Sequence, residues 1–152
     1  MTDTDVQLCV LEVGNETYVI DLKRVDEILP AQKPTPVPRA PSFLEGVVKL
    51  RGEVVPVVDV RKRLGVEPKS AGTTDKRVKR RERLVVCKLG RRRVGFLVDA
   101  VTRVMRVART DLKPAPLTAT PGKNPHVLGV VGEPGQLRLM LDLLSLVGDD
   151  AS

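Results

Sequence analysis

GVVKLRGEVVPVVDVRKRLG, residues 46–65, reads as one compact β unit. Two apolar segments, residues 47–50 and 54–58, flank Arg51-Gly52-Glu53, which predicts a β-hairpin turning at the glycine. Gly52 can take the positive φ of a tight turn without steric cost. Pro56 has no N–H to give to a ladder, which predicts that its strand lies at an edge or a bulge. Asp59 stands at an N-cap position ahead of a short helix over residues 60–64, and Gly65 closes it at the C′ position.

The unit occurs twice. Residues 129–148 read GVVGEPGQLRLMLDLLSLVG, and an ungapped shift of 83 lays Gly46 on Gly129, Gly52 on Gly135, Asp59 on Asp142 and Gly65 on Gly148. Upstream the duplication continues with a shift of 76, which puts Gly14 on Gly90, Tyr18 on Val94, Val25 on Val101 and Ile28 on Val104. Glycines and capping residues recur where the backbone demands them, so the chain reads as two copies of one β-rich module. The copies are expected as subdomains at residues 8–65 and 84–148 of a single 1–152 domain, joined by a basic flexible linker at 66–83 that projects from the body.

A chain of 152 residues suffices for one ordinary domain or two small barrels sharing a core. With one Tyr, two Phe and no Trp, the core must be built from Val and Leu, which favours strands. The opening residues MTDTD carry no apolar signal region, and no apolar run approaches the ~18 residues of a spanning helix, so a cytoplasmic protein without membrane insertion is expected. Cys9 and Cys87 lie inside apolar segments and read as small buried hydrophobes. His126 follows a Pro/Gly/Asn stretch and reads as a surface loop residue. Two connections rich in proline, residues 30–41 and 111–125, read as extended, and residues 149–152 as a frayed end.

The net charge of +7 is uneven. Residues 61–93 hold 14 Lys and Arg against Glu67, Asp75 and Glu82, a balance of +11, which leaves −4 for the rest. Such a segment is either a solvated linker and hairpin turn or a patch for an acidic partner, and weak non-specific nucleic-acid binding through Arg61–Arg93 is one expectation. Sequence-specific recognition is disfavoured, because base stacking needs aromatic platforms and the chain has only Tyr18, Phe43 and Phe96. No catalytic residues, cofactor site or metal site are predicted. Asp59 and Asp142 are explained by capping, Asp21 and Asp99 do not align across the repeat, and neither GxxxxGK[ST] nor GxGxxG occurs. The chain does not read as an enzyme.

The same residues carry a family resemblance. GVVKLRGEVVPVVDVRKRLG resembles the signature of the CheW-like chemotaxis coupling proteins, a glycine, an N-L-R-G turn and P-V-x-D-L-R, with Lys49 in place of the usual asparagine. VDEIL at 25–29 resembles the family's V-x-E-I segment, Pro38 to Pro41 match its spaced prolines, and GFLVDAVTRV at 95–104 resembles its second-half G-L-x-V-D-x-V-x-x-V. The resemblance implies an all-β fold with short helical turns, two packed SH3-like five-stranded β-barrels related by internal duplication. It also implies a non-catalytic adaptor that couples the cytoplasmic tip of a chemoreceptor to the regulatory domain of a histidine kinase. By motif, Val25, Glu27, Ile28, Val98 and Val101 fall to the receptor-binding groove, and Gly46, Arg51 and Gly52 to the turn on the coupling, kinase side. The alternatives are a relative that binds the receptor but not the kinase, and a basic β-barrel that binds nucleic acid.

Overall fold

Turns and caps form where local chemistry requires them. In the computed structural model, which describes residues 5–114, 126–132 and 137–148, Arg51 and Gly52 both have positive φ and form a two-residue hairpin loop between Leu50 and Glu53. The strands on either side are β4 (Leu44–Leu50) and β5 (Glu53–Asp59), and α1 (Val60–Leu64) follows. Asp59 accepts from the Arg61 N–H at the start of α1, and Gly65 ends it in the left-handed region. The hairpin turning at Gly14 joins β1 (Asp5–Val13) to β2 (Glu16–Asp21), and β3 (Val25–Pro30) follows. After α2 (Lys76–Arg80) the pattern repeats as β6 (Arg83–Leu89), β7 (Arg92–Val98) and β8 (Ala100–Ala108). It ends with β9 (Leu112–Pro114), β10 (Val127–Val131), β11 (Arg138–Leu141) and α3 (Leu143–Val147). A shift of 83 carries α1 onto α3 residue for residue, so the duplication is visible in the elements. Gly135, most of the second proline-rich connection and residues 149–152 lie outside the described residues.

The fold is all-β with short helical turns, but the sheets do not divide at the boundaries 8–65 and 84–148. One sheet runs β3-β6-β7-β5-β4 and the other β8-β1-β2-β11-β10-β9. Each copy gives its opening hairpin to the other copy's remaining strands, so over five strands the two sheets have the same order with the hairpins exchanged. The second sheet has a sixth strand, β9, whose counterpart in the first is the single bridge between Thr35 and Val47. Pro56 is not on an edge strand, because β5 lies between β7 and β4. Val47, opposite Pro56, directs both its peptide groups to Thr35, and pairing with β7 begins only at Val57, so the missing N–H is not needed.

The exchange explains why β1 and β6 alternate so weakly in polarity. Leu8 and Val10 enter a cluster with Val6, Val19 and Val131, while Cys9, Leu11 and Val13 on the other face enter a larger one. In β6, Leu84 and Val86 join Val48, Leu50, Val55 and Val57, while Val85, Cys87 and Leu89 face the same large cluster. Each sheet therefore has its own interior, and a third core, containing Phe96, lies between the two sheets. Both central strands are buried on both faces. Cys9 and Cys87 are free thiols inside this shared core, and burial pushes the Cys87 thiol up to about 12.

The 66–83 segment does not simply project from the body. The Lys69 N–H donates to Asp99, its ammonium meets Glu12 at 2.7 Å, and the Ser70 hydroxyl reaches Glu82. Val66 packs against Gly14 and the shared core. His126 is buried rather than on a surface loop. Its Nδ1 lies 2.6 Å from the Ser145 Oγ, and Asp142 donates its N–H to the His126 carbonyl, which fastens α3 to the start of β10.

Candidate functional site

Residues three apart on a strand normally point to opposite faces. In β3 the register shifts between Val25 and Glu27, so Val25 lies opposite Cys87 and Ile28 opposite Val85, both members of the shared core. In β8 a matching bulge sets Val101 opposite Leu11 and Val104 opposite Cys9, again on the shared-core face. The two bulges turn an i, i+3 spacing into one-sided stripes, one at the edge of each sheet. Val25 and Val101 pack against the core, whereas Ile28 and Val104 remain exposed by 40% and 47%. The stripes therefore pass from core to solvent along each strand, leaving Ile28 and Val104 as exposed branched side chains on the face that carries the shared core. Val98 departs from the sequence expectation: it is fully buried in the shared core and lies beneath this surface.

Glu27, bulged toward the other face of β3, meets Arg51 at 3.2 Å. β3 and the β4–β5 hairpin stand at opposite ends of their sheet's strand order, so this pair spans the closure of the barrel. Asp26 pairs with Arg93 at 3.2 Å and Lys88 at 3.4 Å, and Arg93 also approaches Glu53 at 3.5 Å. A band of alternating charge thus borders the hairpin tip. The Arg51 side chain is 72% exposed, so the pair adds little to stability, on the order of 0–1 kcal/mol. Arg51 also holds φ at 52°, a conformation that costs a residue with a Cβ about 1 kcal/mol. Gly46 is not part of this tip. It lies farther back along β4, where a Cβ would overlap the Thr35 carbonyl.

Arg61, which the sequence groups with the basic segment, is buried. Its guanidinium grips Asp59 through Nε at 2.9 Å and Nη2 at 3.2 Å, while Nη1 donates to Glu82 at 2.7 Å and Asp99 at 2.9 Å. Burial alone would weaken its hold on the proton, but the hydrogen bonds it donates to Asp59 and Glu82 outweigh this and raise the pKa. Asp99 also accepts from the Gly14 and Lys69 N–H groups. One side chain thus joins α1, the 66–83 segment and the β7–β8 corner. Asp59 two residues ahead was legible as a cap, but Glu82 and Asp99 are too distant in sequence to signal the rest.

Most of the other basic residues in this segment have partners as well. Lys62 pairs with Glu45, Arg77 with Asp75 and Arg81 with Glu12, while Arg63 stacks on Phe43 and donates to the carbonyls of Leu146 and Ser145. The +11 segment is therefore not a continuous cationic face. No helix of the described residues is long and apolar enough to cross a membrane.

What this geometry defines is a double β-barrel module built around a shared core, with charged and apolar side chains displayed at its strand edges. The family of CheW-like domains matches residues 7–151, and the chain belongs to that family. It is 32% identical to the chemotaxis protein CheW of Rhizobium meliloti (strain 1021), over 96% of this chain and 90% of that protein. It is 37% identical to the protein FrzA of Myxococcus xanthus, over 81% of this chain and 72% of that one. The crystal structure of the scaffolding protein TtCheW from Thermoanaerobacter tengcongensis has the same fold, with a TM-score of 0.82, 24% identity, and coverage of 97% and 95% of the two chains.

Proposed function

We propose that this chain is a chemotaxis adaptor that couples the cytoplasmic tips of chemoreceptors to a histidine kinase, itself performing no chemistry. Family membership over residues 7–151 supports the class of function, and the paired bulges of β3 and β8 support where the receptor binds. A receptor tip is an amphipathic helical hairpin, and such helices bind by laying an apolar face into an apolar groove. Ile28 and Val104 would make the contact, Val25 and Val101 form its floor, and Val98 supports it from beneath. Arg51 and Gly52 stand at an exposed hairpin tip, and the exposure of the Arg51 side chain makes it accessible to a partner on the coupling side. Nothing favours the nucleic-acid reading, since the arginines and lysines that suggested it are largely paired within the protein.

Reconstitution with a cognate receptor tip and kinase tests the assignment. The adaptor reading expects a complex containing all three proteins and raised kinase activity. A complex that forms with the receptor but excludes the kinase would replace it with the receptor-only alternative.

A further inference from the structure

Arg103, Arg106 and Arg138 surround a cavity of about 400 Å³ that the adaptor role does not use. Its wall is apolar on one side, formed by Met105 and Val107 of β8. Arg103 lies opposite Val10 and Met105 opposite Leu8, so both project from the interior face of the six-stranded sheet. Arg138 shares that face with Met140, two residues along β11. These side chains therefore converge at the mouth of that barrel, where its interior opens to solvent.

Among the described residues, arginine outnumbers carboxylate in the cavity lining. Among the described residues of the lining Asp111 is the one carboxylate, against three arginines, and no ion pair joins it to any of them. Glu16 lines a neighbouring hollow with Arg138 and does not pair with it either. The Arg138 Nε is buried and has no hydrogen-bond partner among the described residues. A buried N–H without an acceptor is costly, and a ligand oxygen placed against it would remove the cost.

We propose that this cavity binds a small organic phosphate monoester. A guanidinium offers two parallel N–H donors that match phosphate oxygens. A monoester carries a charge of about −1.5 to −2 at neutral pH, which complements the excess of arginine over aspartate among the described lining residues. The volume falls in the range of small-molecule sites, roughly 300–1,000 Å³, and Met105 and Val107 provide a surface for the organic part. Arg103, Met105 and Arg138 face away from the Val25–Ile28 and Val101–Val104 stripes, since they point into their own barrel rather than toward the shared core. Arg106, opposite Gln7, borders the cavity from the face of β8 that carries Val104.

The experiment is an NMR titration of the full chain that follows the Arg138 Nε–Hε resonance, with glycerol 3-phosphate as probe at pH 7.5. Sodium chloride at matched ionic strength and sodium acetate are titrated in parallel. A saturable shift with glycerol phosphate is expected, weakened about tenfold or more in Arg103→Gln and in Arg138→Gln and unchanged in Lys76→Gln, which removes a charge elsewhere. Arg103 is exposed, so its variant keeps the test valid should Arg138→Gln fail to fold. An equal shift with chloride, equal affinity for acetate, equal weakening in Lys76→Gln, or no saturation by about 10 mM, where affinity would be weaker than about −3 kcal/mol, overturns the proposal.

Discussion

Gly46 and Gly129 are glycines for the same physical reason. In each copy a carbonyl of the preceding connection, that of Thr35 or Lys113, occupies the space a Cβ would need. Gly52 also has positive φ, but nothing lies near its absent Cβ. Gly52→Ala should therefore cost about 1 kcal/mol, and Gly46→Ala clearly more, because backbone must move as well. Urea midpoints of the two variants check the order, and an equal loss would contradict it. Arg61→Ala would leave Asp59, Glu82 and Asp99 buried together without their cation. Breaking such a network costs about 3–5 kcal/mol, or roughly 10 °C in Tm for a chain of this size, and a Tm within a few degrees of the parent would contradict the account. Burial, with Arg63 nearby, holds the His126 pKa below its ordinary 6.5. The unfolded chain then takes up this proton more readily than the folded one, so the stability His126 contributes is present above pH 6.5 and lost as pH falls below it. The drop in Tm between pH 7.5 and pH 5.5 should be smaller in His126→Gln than in the parent, and an equal drop would contradict the assignment.

At the scale of elements, what could be read from the sequence was what neighbouring residues decide. The hairpins at Gly14, Gly52 and Gly90, the caps at Asp59 and Asp142, and the extent of α1 follow from local chemistry. The exchange of opening hairpins was not legible, since the two copies share one polarity pattern and either hairpin suits either barrel. The burial of Arg61 was also hidden, because a basic run looks the same whether its charges are paired or solvated. The stripes were half legible: the spacing of Val25 with Ile28 was visible, but the bulge that puts them on one face was not. The exchange has a direct consequence. Residues 1–65 alone would lack the β6–β7 hairpin around which their barrel closes, and should not fold. A chain cut within residues 76–81 should stay together as one native particle on gel filtration, since all contacts between the halves remain. Separation into two folded halves would contradict the exchange.

Across the whole molecule, two barrels of matching strand order share a core that neither could build alone. The central claim is that the exposed margin of this core is the receptor-docking surface, marked by Ile28 and Val104. Burying a branched side chain of this size contributes roughly 1.5–3 kcal/mol, and a carboxylate in its place reverses that gain. The direct test is the affinity of a cognate receptor tip for Ile28→Glu, measured by isothermal titration alongside the Tm of the same sample. The account predicts a Tm close to the parent's, because Ile28 is already 40% exposed, and an affinity at least tenfold weaker. Unchanged affinity in a folded variant would contradict it.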